Sequence, residues 1–471
     1  MNKKLNLLIA VLLCVATIPV QAQSYTLLHT FTTSTCSSPR GNLVLSGSHL
    51  YGMANSGGAN NVGCIFTVDT NGNGYRDLFD FDQHSGNTPE GSLILNGSTL
   101  YGMVSTGAEY TYTGGIFYID TDGTHYGLMH SFGGLNDGTT PVGQMLLIGN
   151  TLFGVTEEGG LNGDGTVFSM HTDSSNYKVL YNFTGGATGG YPVTSLAVKG
   201  KSLYGVTQLG GASSEGCIYR IDTNGANDTV LYSFPSVAFS FTTPLIIGNT
   251  IYGTTNLGGI GLGSIFSMKI NGSNFNTIFT SGSNTPNGFK GDLLLMGDKL
   301  YGACPNTNSP SSSDAAGSLY SIDTSGGTAN TLFYFTDTVG TYIGADPFGG
   351  LVNRGSTLFG TGTTGGTQKV GVVFKCSSSI PAGINNYSVS TNSVVVYPNP
   401  ANIEVNISFS GNCAAANVEI YDITGRSVGA YGLRNNLLTI NTQSYKNGMY
   451  FYKLVDNAGT QLNVGKFSVV K

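Results

Sequence analysis

Short apolar stretches alternating with polar residues or glycine run through most of the chain, and one pattern keeps returning. The stretch "LILNGSTLYGMVSTG" (93–107) reads as two period-2 strands folded over a two-residue turn, whose glycine supplies positive φ at little cost. "LVLSGSHLYGMANSG" (43–57) and "MLLIGNTLFGVTEEG" (145–159) are the same hairpin again. Seven copies align on Leu50-Tyr51-Gly52, Leu100-Tyr101-Gly102, Leu152-Phe153-Gly154, Leu203-Tyr204-Gly205, Ile251-Tyr252-Gly253, Leu300-Tyr301-Gly302 and Leu358-Phe359-Gly360, spaced 48 to 58 residues apart.

Each hairpin is followed by a third strand, such as "GCIFTVDTNG" or "GTVFSMHTDS", and by a fourth of the form "LHTF". Four short strands repeating every ~50 residues predict an all-β fold, a seven-bladed β-propeller. The first "LHTF" strand, Tyr25 to Phe31, precedes the first hairpin, and the last repeat ends after "GVVFKC" without one. With the hairpin innermost, the N-terminal strand completes the last blade and removes an unpaired edge. A rival phase, with "LHTF" innermost, needs no such closure.

Composition narrows the class. Glycine is abundant (70 residues), charged residues make up 10% and the net charge is −6. No basic stripe appears, which argues against nucleic acid and anionic membrane surfaces as partners. The N-terminus carries Lys3 and Lys4, an apolar run from Leu5 to Val20 and small residues before Ala22, the pattern of a signal peptide over 1–22. The run is too short for a membrane anchor, Leu13 argues against lipidation at Cys14, and no other segment is apolar enough to span a bilayer. Beyond the leader stand Cys36, Cys64, Cys217, Cys304, Cys376 and Cys413. Their spacing matches no metal site, and most are expected to be buried and unpaired. No cofactor is implied, and a monomer is expected.

The repeat, quoted best at "IYGTTNLGGIGLGSIFSM" (251–268), resembles the tandem GloVer repeat of large exported bacterial proteins, with the pattern LYGTT…GGxxGxGTVF. The resemblance covers about 25 to 376; "LYGACPNTNSP" (300–310) departs from it, and it implies no catalytic residues. From Cys376 to Val394 the repeat pattern is lost, giving a propeller over 23–376 and a linker over 377–394. Residues 395–471 alternate in short strands with Asn/Gly turns, predicting a small Ig-like β-sandwich. An adhesive domain would read similarly. This tail resembles the C-terminal sorting domain of the bacterial type IX secretion system. The matching residues are Tyr397-Pro398-Asn399-Pro400, Gly425 and Arg426 in "DITGR", Gly448 and Tyr450 in "GMY", and Lys466 near the end. The resemblance implies the type IX machinery as partner and delivery to the cell surface or medium.

Candidate chemistry is sparse: there is no GxSxG, HExxH or phosphate loop. Glu157, Glu158 and Asp164 form the densest carboxylate cluster and read as a solvated loop; Asp69, Asp120, Asp222 and Asp323 read as turn formers. Aromatic residues expected outside strands, Tyr110, Tyr112, Tyr191, Phe239, Phe241, Phe289 and Tyr342, suit stacking on sugars or gripping peptides. Ten residues before each signature Leu or Ile stand Arg40, Glu90, Val142, Val193, Phe241, Lys290 and Phe348. Under the hairpin-innermost phase these should ring one mouth of the central channel. Arg40, Glu90 and Lys290 would hydrogen-bond a polar ligand, with Phe241 and Phe348 stacking on it. The expectation is a binding module for an extracellular glycan or protein. A polysaccharide hydrolase or lyase, and a purely structural surface protein, are the alternatives.

Overall fold

A computed structural model describes residues 24–109, 113–134, 136–236, 242–256, 262–282, 285–305, 316–378, 394–397, 401–409, 416–423, 426–433, 437–456 and 461–471. The expected leader (1–22), Tyr110, Tyr112, Phe239, Phe241, most of the expected linker, Pro398 to Pro400, Cys413 and Gly425 lie outside them. The chain divides into two compact units, residues 1–379 and 380–471. Among the described residues all regular structure is β, and no helix is long and apolar enough to cross a membrane.

In the first unit, the described strands form seven antiparallel sheets with the strand pattern of the repeat. The sheets are numbered here by their hairpins, from sheet 1 (Cys36–Asp80) to sheet 7 (Val352–Ser377). Sheet 7 takes its fourth strand from the other end of the unit: Tyr25–Thr30 pairs antiparallel with Val372–Ser377, Tyr25 opposite Cys376 and Thr30 opposite Val372. Each hairpin turns over two residues, with Ser46 opposite His49 and Asn96 opposite Thr99. The turn glycines, from Gly47 to Gly355, lie at φ between +55° and +65°. A register shift interrupts the third-to-fourth pairing in all seven sheets. Such a bulge twists an outer edge away from further pairing.

The signature follows from packing between third and second strands. The third strand contributes a buried aromatic ring, Phe66, Phe117, Phe168, Tyr219, Phe266, Tyr320 or Phe374, directly over the signature glycine. A Cβ on Gly102 would lie 2.4 Å from Phe117 Cζ, and one on Gly154 2.4 Å from Phe168 Cζ. From the preceding sheet the phenylalanine just past the fourth strand meets this ring edge-on, as in Phe31–Phe66 (5.0 Å) and Phe132–Phe168 (5.5 Å). Each such fully buried ring contributes about 1.5–3 kcal/mol.

Apolar clusters join sheet 1 to 2, 2 to 3, 3 to 4, 4 to 5 and 5 to 6 in turn. Sheet 6 meets sheet 7 through Tyr25–Phe333 (5.4 Å) and Phe335–Phe374 (5.2 Å). Leu28, Phe31, Phe359 and Val373 of sheet 7 share a core with Leu43, Leu50 and Phe66 of sheet 1. The packing is therefore cyclic.

Three expectations need correction. Tyr191 lies inside a short strand, Gly190–Pro192, not outside strands. Phe289 is fully buried: just past its fourth strand, Asn276–Thr280, sheet 5 carries Ser281 where the others carry phenylalanine, and Phe289 fills that space against Tyr320 at 5.1 Å. Tyr342 stacks on Phe333 at 4.7 Å, so it too is packing. Cys36 and Cys64 form a disulfide, whereas Cys217, Cys304 and Cys376 are free and buried. Burial pushes the Cys217 thiol up to about 11 and Cys376 to about 12.

In the second unit, the sheets Val394–Tyr397, Glu404–Phe409, Leu437–Asn441 and Ser427–Leu433, Ala416–Asp422, Gly448–Asp456, Gln461–Val469 share one core. Val405, Ile407, Ile420, Tyr450, Leu454 and Phe467 fill it.

Candidate functional site

The segments leading into four of the seven hairpins carry a recurring motif: Pro39-Arg40-Gly41-Asn42, Pro89-Glu90-Gly91-Ser92, Pro141-Val142-Gly143-Gln144 and Pro347-Phe348-Gly349-Gly350. Val193-Thr194-Ser195 and Lys290-Gly291-Asp292 take the same places in sheets 4 and 6. The backbones of neighbouring motifs touch. A Cβ on Gly41 would lie 2.0 Å from the Gly91 carbonyl oxygen, one on Gly91 1.9 Å from that of Gly143, and one on Gly349 2.6 Å from that of Gly41. Only glycine permits that approach.

Hydrogen bonds run between these segments. The Asn42 amide donates to Ser92 Oγ at 2.7 Å, Gln144 N to Ser195 Oγ at 2.7 Å, and Thr243 N to Asp292 Oδ1 at 2.6 Å. Asn42 Nδ2 also donates to Asp292 Oδ2 at 2.9 Å, and Asn42 Oδ1 accepts from Gly350 N. Sheet 7 lies between those two side chains in the cycle; they meet because Gly350 has none, and a Cβ there would lie 2.9 Å from the Asp292 Cβ. The residue five beyond the signature braces the next segment: Ser105 Oγ donates to the Pro141 carbonyl and Thr363 Oγ1 to that of Pro39.

Over this bonded layer lies a pocket of about 350 Å³, within the usual range for small-ligand sites. Of the seven positions singled out in the sequence, Arg40, Glu90, Val142, Val193, Lys290 and Phe348 line it; the seventh, Phe241, is outside the described residues. The polar members form an arc across adjacent sheets. Arg40 Nη1 bonds Glu90 Oε1 at 3.2 Å, and its guanidinium carbon lies 5.6 Å from the Phe348 ring centre. Lys290 Nζ stands 4.3 Å from the same centre. Burial, then the charge of Arg40, hold the Lys290 ammonium below the usual lysine range, with Asp346 opposing. Val142 and Val193 supply an apolar stretch of the lining.

Glu157 also lines the pocket, against the expectation of a solvated loop: it lies in the strand Thr151–Gly159 and is partly buried. Burial raises its carboxyl above the usual range, and Glu158 and Glu90 add to the effect. The signal that points to it is its place five residues past Leu152, equivalent to Asn55 and Gln208, both polar.

Other candidates are structural. Asp69, Asp120, Asp222 and Asp323 each bond the residue opposite on the second strand, His49, Thr99, Ser202 or Lys299. His130 pairs with Asp137 at 2.9 Å and stacks on Tyr177 at 3.8 Å. Among the described residues one group of His, Cys and acidic side chains could gather a metal, Cys36, Cys64 and Asp77, and its sulfurs are joined to each other. Of the tail residues, Arg426 bonds Asp422 at 3.0 Å, Tyr450 is buried in the core, and Gly448 and Lys466 sit in paired strands beside Val469 and Phe451.

Residues 14–145 and 96–260 match the Gloeobacter/Verrucomicrobia repeat, and residues 395–468 match the secretion system C-terminal sorting domain. No curated protein matches the chain. Similar solved structures include an oligogalacturonate lyase in complex with manganese (TM-score 0.50, 11% identity, 73% of this chain and 91% of that one). The extracellular domain of a hybrid two-component system from B. thetaiotaomicron scores 0.50 at 10% identity, over 96% and 59%. PorZ, a type IX surface component of Porphyromonas gingivalis, scores 0.44 at 15% identity, over 93% and 60%. At these identities the likeness concerns the fold alone.

Proposed function

From the premise that the chain belongs to the Gloeobacter/Verrucomicrobia repeat family and is exported through the type IX system by its sorting domain, we propose a binding role for the repeat region. It is a seven-bladed β-propeller that holds an extracellular ligand, glycan or protein, at one mouth of its central channel. The signal peptide spans 1–22, the propeller 23–376, the linker 377–394 and an Ig-like sorting domain 395–471, and the mature protein is a monomer. The cyclic packing of seven sheets and the sharing of one core by two tail sheets support this division.

One observation carries the ligand site. The position that varies from basic to acidic to aromatic between repeats lines a single pocket in six of them. Variation on loops held by a repeated scaffold is where recognition is expected. The test is a glycan and peptide array probed with the mature chain and with Phe348→Ala. A hit weakened in the variant by about 1–3 kcal/mol, the usual loss of an aromatic anchor, supports the site; equal binding by both refutes it. The raised Glu157 carboxyl favours a second reading, a polysaccharide-cleaving enzyme with Glu157 as proton donor. Release of reducing ends, lost in Glu157→Gln, would establish that one.

A further inference from the structure

We infer that the junction of sheets 3 and 4 holds a second site, a socket for a tyrosine side chain presented by a basic partner polypeptide. The repeat itself defines the socket. At four junctions the residue just before a fourth strand lays its ring nearly flat on a ring of the preceding sheet's fourth strand: Tyr75 on His29 at 3.6 Å, Tyr126 on Phe79 at 4.0 Å, Tyr177 on His130 at 3.8 Å and Phe275 on Tyr232 at 3.8 Å. Two further rings flank each inserted ring, Phe132 and Phe168 in the case of Tyr177. Sheets 3 and 4 keep the three equivalent walls, Tyr181, Phe183 and Tyr219, but the inserting residue is replaced by Asp228, which is exposed. Sheet 6 carries Ala329 there, itself buried in the core. Beside Asp228 a pocket of about 200 Å³ stays open, with Thr188 in its lining. A cavity of ~150 Å³ is enough to take up benzene.

The surroundings choose the occupant. Its ring need not come from the turn before the strand: between sheets 6 and 7, Tyr342 reaches Phe333, the equivalent of Tyr181, from the loop beyond the fourth strand and stacks at 4.7 Å. A hydroxyl is provided for. Tyr177 donates to Asp137, five residues past Phe132, and Thr188 stands five past Phe183. The Thr188 hydroxyl already meets Thr184 Oγ1 at 2.7 Å, but a hydroxyl oxygen can accept twice. The pocket holds one ring and is smaller than the roughly 300–1,000 Å³ usual for small-ligand sites, so that ring is the anchor of a longer chain. Asp228 is the one charged residue in the lining, at the place where inserted rings elsewhere join their backbone. Burial raises the Tyr181 hydroxyl above its usual range, Thr188 opposes this, and the nearby Asp228 carboxylate adds to it. An arginine next to the partner's tyrosine would pair with that carboxylate.

The mature protein is titrated by ligand-observed NMR with a short peptide carrying tyrosine between two arginines. The same peptide with alanine for tyrosine, the same with glutamates for the arginines, and free tyramine serve as comparisons. The arginine–tyrosine peptide binds through its ring and the alanine peptide does not; glutamates weaken binding a few-fold, as expected for an exposed ion pair. Asp228→Tyr fills the socket as Tyr177 fills its own, so it abolishes peptide binding and melts no lower than the parent. Should that variant melt lower, Asp228→Phe, with the residue type found at sheet 5, gives the same reading. Asp228→Asn retains binding but loses the preference for arginine over glutamate. Phe348→Ala changes none of this, which separates the socket from the pocket lined by Arg40 and Phe348. Full binding by the filled variant, equal affinity for the alanine peptide, no binding by any peptide, or tyramine binding as tightly as the peptide each overturns the inference.

Discussion

Two kinds of residue decide the first unit: glycines that make room and aromatic rings that take it. Gly102 is the clearest case, because Phe117 lies where its Cβ would be. Gly102→Ala should lower stability by about 1–3 kcal/mol, the usual cost of overpacking, read as a drop in melting temperature. Gly97→Ala, in a turn with open space around it, meets only backbone strain and should cost less. His29 supplies a pH prediction. It stacks on Tyr75 at 3.6 Å in the closing strand, and its Nε2 is buried without a hydrogen-bond partner among the described residues. Burial lowers its titration from 6.5 to about 4. The unfolded chain therefore takes up the proton first, so this contribution is full above pH 6.5 and is lost as pH falls toward 4. His29→Phe should flatten the melting-temperature profile in that window; an unchanged slope would contradict the assignment. Signature glycines and ring positions are legible in sequence because each repeats at fixed spacing. Phe289 is not, since its burial answers a missing ring at Ser281 eight residues earlier, a compensation that only packing reveals.

Among the elements, the Tyr25–Thr30 strand joins the two ends of the repeat region, and the chain order alone pointed to it: one surplus fourth strand at the start, one missing at the end. Two devices hold its surroundings. The Cys36–Cys64 disulfide ties the segment just after it to the third strand of sheet 1, and the Asn42–Asp292 bond links sheets 1 and 6 past Gly350. Neither is legible in sequence, because Cys36 and Cys64 lie 28 residues apart among scattered cysteines and Asn42 and Asp292 are ordinary polar residues. Closing a loop of that length restricts the unfolded chain by about 3–4 kcal/mol in the chain-entropy account. Cys36→Ala with Cys64→Ala should thus melt markedly lower. Hydrogen exchange should show the loss first in Tyr25–Thr30 and Val372–Ser377; loosening confined to sheets 3 and 4 would contradict that role.

At the scale of the whole molecule, two units with separate cores carry separate tasks, export in the second and the pocket in the first. Deleting Val395 to Lys471 should leave the repeat region folded and held in the periplasm, shown by fractionation together with resistance to protease; secretion of the truncated chain would contradict the sorting role. The pocket itself was half legible. The variable position before each hairpin pointed to Arg40, Lys290 and Phe348, whereas Glu157 looked like part of a loop because burial is not written in a Glu-Glu pair. The central claim is that residues some 50 to 300 positions apart form one binding site, and hydroxyl-radical footprinting of the mature protein with and without an array-identified ligand tests it most directly. Protection should appear together at Arg40–Asn42, Lys290–Asp292 and Phe348–Gly350 and be absent from the turns after the third strands, such as Asp120–Thr124. Protection at one of those turns, or at only one of the three segments, would contradict the account.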